Sequence, residues 1–156
     1  MKHDHLSLKL KASYTLTCKD VNGKETFKYK KNNLITTVGK TMAATILSDT
    51  EATGLFQYFA FGDGVVSPDV SDTTLSSEVG RVAVTTLSNT LNVISVGATV
   101  TFGDMVGFTL SEVGIFGLDA LGSTDSGSLF SRVLISPTIN KTNITEIDVL
   151  YELTIT

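Results

Sequence analysis

The last eleven residues, Glu146–Thr156, alternate without a break. Ile147, Val149, Tyr151, Leu153 and Ile155 fall on one side, and Asp148, Leu150, Glu152 and Thr154 on the other. Successive side chains of a strand point to opposite faces, so a period of two commits this segment to a sheet with one buried face. The same period opens the chain. Leu6, Leu8, Leu10 and then Tyr14, Leu16, Cys18 alternate with Ser7, Lys9, Lys11, Thr15, Thr17 and Lys19. Asp20-Val-Asn-Gly23 follows, and Asn-Gly is a hairpin signal because both residues tolerate positive φ. Lys24–Lys31 is then the return strand, with Phe27 and Tyr29 on one face.

Between these ends, strand-like segments recur at intervals of about ten residues, the spacing of a sandwich or barrel. They are Arg81–Ser88, Leu91–Phe102, Phe108–Phe116 and Ser128–Ser136, with a short aromatic strand at Leu55–Phe61. One stretch departs from the pattern. Leu34, Val38, Met42, Ile46 and Leu47 recur at helical spacing, and Thr36 or Thr37 can cap the N-terminus, so a helix is expected near residues 36–48. Gly62–Thr74 is a polar loop too long for a simple turn, and loops of that length are usually functional or flexible. Leu75–Val79 is read as a single helical turn.

Composition agrees. The chain has 156 residues, enough for one domain with a core of its own, and 23 Thr and 15 Ser among them favour half-exposed strands. The expected fold is mainly β: an antiparallel β-sandwich, or flattened barrel, with one α-helix near 36–48 and an N-terminal β-hairpin. Nine of the 12 basic residues but only three of the 16 acids fall within residues 1–40, leaving that stretch at +6 and the remainder at −10. The division expected is therefore a basic hairpin or arm over 1–31, packed on or docking from the main domain, and a sandwich over 32–156. Lys9, Lys11, Lys28 and Lys30 are the candidate docking residues. The competing reading is a solvated lysine face that keeps an edge strand from aggregating. The basic stretch contains no Arg and only Tyr14, Phe27 and Tyr29 to stack on bases, which argues against a nucleic-acid partner.

The inventory for catalysis is thin. A Ser–His or Cys–His pair would have to use His3 or His5, both at the terminus, and Cys18 alternates with the apolar side of its strand. Gly62-Asp-Gly64 lacks the spacing of a phosphate loop. Asp63, Asp69 and Asp72 do not match a calcium loop. One cysteine allows no intrachain disulfide, no stretch reaches 18 apolar residues, and Met1–His5 gives no secretory h-region, so neither a membrane span nor a signal peptide is expected. We therefore expect no enzyme, no catalytic residues, no cofactor and no metal. The charged residues that stand out are Glu78, Arg81, Glu112 and Arg132, beside or within apolar strands. They are read as structural ion pairs that tie the loop to adjacent strands or cross a subunit boundary.

The order of segments resembles small virion proteins of tailed bacteriophages. The resemblance is carried by Asn33-Leu-Ile-Thr-Thr-Val-Gly39, Tyr58-Phe-Ala-Phe-Gly-Asp-Gly64, Asp72-Thr-Thr-Leu-Ser-Ser-Glu-Val-Gly-Arg81, Ser111-Glu-Val-Gly-Ile-Phe116, Leu129-Phe-Ser-Arg132 and Pro137-Thr-Ile-Asn-Lys141. It runs from about residue 32 to 156 and includes no catalytic motif. It implies a non-enzymatic building block located in the virion, partnered by other capsid or tail proteins, and homo-oligomeric with a trimer favoured. A capsid decoration protein is the preferred position. A tail, baseplate or fibre-base adaptor is the alternative, and a cellular β-sandwich binding module the more distant one.

Overall fold

A computed structural model describes residues 8–48 and 54–156. His3, His5 and Leu6 lie outside the described residues. Among the described residues ten strands and one helix follow in the order β1 (Leu10–Lys19), β2 (Glu25–Asn32), β3 (Leu34–Ile35), α1 (Thr37–Ser48), β4 (Tyr58–Gly62), β5 (Glu78–Ala83), β6 (Thr86–Thr90), β7 (Val93–Val100), β8 (Thr109–Gly117), β9 (Ser128–Asn140) and β10 (Glu146–Ile155). They form two five-stranded antiparallel sheets, ordered β2-β1-β10-β7-β6 and β3-β9-β8-β4-β5. The expected β-sandwich with one helix is what the chain forms.

The two terminal alternating segments meet. β1 pairs with β10 from Leu10↔Ile155 to Lys19↔Glu146, so Tyr14 lies opposite Tyr151 and Leu16 opposite Val149. Both inward rows are buried against Val113, Ile115 and Val133 of the other sheet. Hydroxyl groups in this core are satisfied across the gap between the sheets. Tyr14 donates to the Ser131 carbonyl at 3.0 Å and lies 2.8 Å from Ser131 Oγ, which is 3.2 Å from the Tyr151 hydroxyl. A buried polar group without a partner would cost about 1–3 kcal/mol, so this chain of contacts fixes how the sheets face each other.

The described part of that stretch, residues 8–31, is packed into the main domain, the first of the two arrangements expected for it. Among the described residues of that stretch, β1 is an interior strand held between β2 and β10, and the hairpin completes the sandwich. Inward alternation of Ala12, Tyr14, Leu16 and Cys18 needs a second sheet to cover it, and the chain supplies its own.

Thr36 caps α1: Gly39 N donates to Thr36 Oγ1 at 2.9 Å, while that hydroxyl donates to the Leu129 carbonyl at 2.6 Å. Leu34, counted in the helical stripe, belongs instead to β3, paired with Arg132. Two other expectations are corrected. Arg81–Ser88 is not one strand: β5 ends at Ala83 and β6 begins at Thr86 in the other sheet. Leu75–Val79 is not a helical turn. The Ser76 and Ser77 N–H groups are taken by the Glu112 carboxylate rather than by a helical ladder, and Glu78 already belongs to β5.

Candidate functional site: two arginine clusters under two loops

The inner face of β8 carries Val113 and Ile115 into the main core, so Glu112, Gly114 and Phe116 point outward. Across this outer face runs a row of directly opposed residues, Arg132 on β9, Gly114 on β8, Ala60 on β4 and Arg81 on β5. Two arginines thus bracket two small residues. Leu75 enters the space above the small ones, and a side chain at Gly114 would meet Leu75 Cδ2 at 2.8 Å. Leu75, Ala60, Phe116, Ala120 and Leu129 form a second, smaller apolar cluster on this face.

Arg132 holds the loop that enters from β4. Its Nε donates to Asp72 Oδ2 at 2.6 Å, Nη1 to Glu112 Oε2 at 2.9 Å and to the Val66 carbonyl at 3.1 Å, and Nη2 to the Ser67 carbonyl at 3.1 Å. Glu112 also accepts from Ser76 N and Oγ and from Ser77 N at 2.8–3.1 Å, so its two oxygens take four hydrogen bonds. That fills the acceptor capacity of a carboxylate. Both side chains are almost fully buried, at 1 % and 0 % exposure. Ser111 Oγ donates to the Gly64 carbonyl at 2.7 Å, and Thr37 N to the Val70 carbonyl at 2.8 Å. The loop is gripped by its main chain while Val65, Val66 and Val70 remain exposed.

Arg81 does the same for the loop after β8. Its Nε and Nη2 form a two-pronged pair with the Glu78 carboxylate, and Nη1 donates to the Ser126 and Leu121 carbonyls at 2.7 and 3.1 Å. The guanidinium lies 4.3 Å from the centre of the Phe116 ring, and Glu78 accepts a further bond from Asp125 N at 3.0 Å. The residues expected to pair therefore do so, as Glu78–Arg81 and Glu112–Arg132, in two separate clusters within the subunit.

Asp72, Ser76, Ser77 and Ser126 belong to these clusters, and reading along the sequence did not mark them as partners. Asp72 stands in the Asp-Thr-x-Leu-x-x-Glu-x-x-Arg run, which was the available signal. Lys141 was also missed. It is buried, donates to the Thr142 and Phe102 carbonyls at 2.9 and 3.4 Å, and its pKa is lowered by burial. Flanked by Asn140 and Thr142, it reads as a surface residue. Burial pushes the Cys18 thiol up to about 11, against a smaller opposing pull from Lys141.

The four candidate docking lysines remain exposed. Lys11, Lys28 and Lys30 share the outer face of the first sheet, since Thr17 faces Lys28, Thr15 faces Lys30 and Lys11 faces Thr154. Lys30 reaches Glu152 at 3.5 Å. Lys9 precedes β1, its main chain paired with Thr156. On the same face Lys19 pairs with Asp148, and hydrogen bonding to that carboxylate raises the lysine pKa.

Among the described residues no cluster of three or more His, Cys, Asp or Glu side chains could hold a metal ion, and no helix is long and apolar enough to cross a membrane. The fold and site define a β-sandwich with one open, lysine-bearing face and one face covered by two pinned loops. No family model matches the chain, and no curated protein or solved structure matches it.

Proposed function

We propose that this chain is a non-enzymatic structural protein of a tailed bacteriophage virion, a capsid decoration protein that acts as a homo-oligomer, with a trimer favoured. One observation supports the reading above the rest. The segments that carry the resemblance to small virion proteins, Asp72–Arg81, Ser111–Phe116 and Leu129–Arg132, converge on the outer face of one sheet. There the charged groups spend their hydrogen bonds on one another and on loop main chain. A carboxylate with four donors and a guanidinium with four acceptors are locked in place, which suits a particle part that must keep its shape and suits general acid–base chemistry poorly.

The partners in this proposal are other virion proteins, met through Lys9, Lys11, Lys28 and Lys30 on the open side, with no cofactor, membrane or nucleic acid involved. Such lysines would steer the protein onto an acidic shell. Mass spectrometry of purified virions from the phage encoding the chain, followed by antibody labelling under the electron microscope, tests the reading. Label over the head is expected. Label confined to the tail would replace decoration with a tail, baseplate or fibre-base role. Absence from virions would overturn the proposal.

A further inference from the structure

Two surfaces of this chain complement each other. The first is a groove of about 730 Å3 between α1 and the end of the first sheet. Leu10, Ala43, Ile46, Leu55, Leu153 and Ile155 are among the residues of its apolar lining, and Lys9, Lys11 and Lys40 are its charged residues. Among the described residues no carboxylate lines it. The second is the loop after β4. Val65, Val66 and Val70 are 76 %, 61 % and 45 % exposed, and Asp63 and Asp69 beside them are exposed too.

Exposed valines on a loose loop would mean little, because a mobile loop loses entropy when it docks. This loop is already ordered. Arg132 holds the Val66 and Ser67 carbonyls, Ser111 the Gly64 carbonyl and Thr37 N the Val70 carbonyl, so the main chain faces the protein and the valines face out. A rigid apolar projection with carboxylates beside it is the chemical complement of an apolar groove flanked by ammonium groups.

We infer that the valine loop of one copy docks into the lysine-flanked groove of the next. The contact deepens the homo-oligomer proposed above and rests on that reading. It joins two different patches, so repetition by rotation closes a ring, of which the trimer is the smallest with one-way contacts, and repetition without closure gives a filament. Apolar burial supplies the attraction, and the charge pairs set the register.

Charge exchange in the full chain tests the contact. Lys40 and Asp63 are exposed, and no side-chain hydrogen bond of either is seen among the described residues, so their reversal spares the fold. Analytical ultracentrifugation at low salt should show a concentration-dependent ring for the wild type. Lys40→Glu alone and Asp63→Lys alone should each raise the dissociation constant by about tenfold or more. The double variant, which restores opposite charges with their positions exchanged, should recover most of that loss. Val66→Asp should dissociate the ring at any salt. A wild type that stays monomeric at about 100 µM, well above the range of a stable assembly, would overturn the inference. So would an oligomer that none of the variants moves, or a double variant no better than the singles. Detection in virions does not depend on any of these results; a monomeric wild type removes the homo-oligomer and this contact together, whereas an oligomer that the variants leave unmoved removes this contact alone.

Discussion

At the scale of single residues, the buried charges are the sharpest feature. Arg132 and Glu112 are each nearly inaccessible and each fully engaged, so removing one strands the other. Arg132→Met should destabilise the fold by about 3–5 kcal/mol, the usual cost of leaving an unpaired buried charge. The double change Arg132→Met, Glu112→Gln removes that charge while keeping an acceptor for the Ser76 and Ser77 N–H groups, and should recover at least about 1 kcal/mol of the loss. Urea unfolding of the single and double variants measures both. A single variant as stable as the wild type would mean that the cluster is ornamental. Cys18 gives a pH prediction. Burial pushes its thiol up to about 11 from an ordinary value of 9.0, so the folded state holds the proton more tightly. Stability from this group is complete below pH 9 and is lost as pH rises toward 11. Lys141, with its pKa lowered by burial, acts in the opposite sense as pH nears its unfolded value of 10.5. The thiol's share is therefore read by difference: Cys18→Ala should fall less steeply than the wild type between pH 9 and 11 in parallel denaturation curves.

At the scale of elements, packing overrides propensity most plainly in α1. Gly39 is a poor helix former in the first turn of α1, and Gly costs about 1 kcal/mol relative to Ala inside a helix. Here a Cβ would sit 2.1 Å from the Phe130 carbonyl oxygen, a main-chain atom of β9 that cannot swing away. Gly39→Ala should therefore destabilise the protein by about 1–3 kcal/mol despite the better propensity. A higher melting temperature for this variant would show that α1 can lift off β9 without penalty. The helix is held by its close approach to β9, by the Thr36 cap and by Met42 in the core, rather than by a strong intrinsic preference.

At the scale of the whole molecule, the fold is closed by its two ends. β1 pairs with β10 over ten residues and contributes Ala12, Tyr14, Leu16 and Cys18 to the core. Burying a large apolar side chain is worth about 1.5–3 kcal/mol, so losing this strand removes an amount comparable with a total domain stability of about 5–15 kcal/mol. A chain shortened to begin at Asn33 should fail to fold, giving a collapsed near-ultraviolet dichroism signal and amide resonances without dispersion. A stable, dispersed fragment would restore the separable arm that the charge asymmetry suggests. Reversing Lys28 and Lys30 is the cleaner way to probe that face, since both are exposed, lie outside the groove beside α1 and can change without opening the core.

What the sequence determined by itself was local. The unbroken alternation of Glu146–Thr156 and of Tyr14–Cys18 specifies strands with one buried face, because the period of two is a property of the extended backbone. Asn22-Gly23 specifies the turn between β1 and β2, where Gly23 adopts φ +75°. Thr36 as a cap and the spacing of Val38, Met42 and Ile46 placed α1 to within a residue, although Leu34 of the same stripe went to β3. The four charged residues were visible because a charge beside apolar strands is costly unless paired. Only the tertiary structure decided which residues meet. Strand periodicity carries no label for its partner, so nothing local says that β1 lies beside β10, or that β5 and β6 divide one apparent strand between two sheets. The partners of Arg132 come from Asp72 and Glu112, 60 and 20 residues away, and the buried Lys141 ammonium reaches the Phe102 carbonyl, 39 residues away. Contacts at such separations are fixed when the sheets stack and the loops close over them, and that closure decided the architecture of the site.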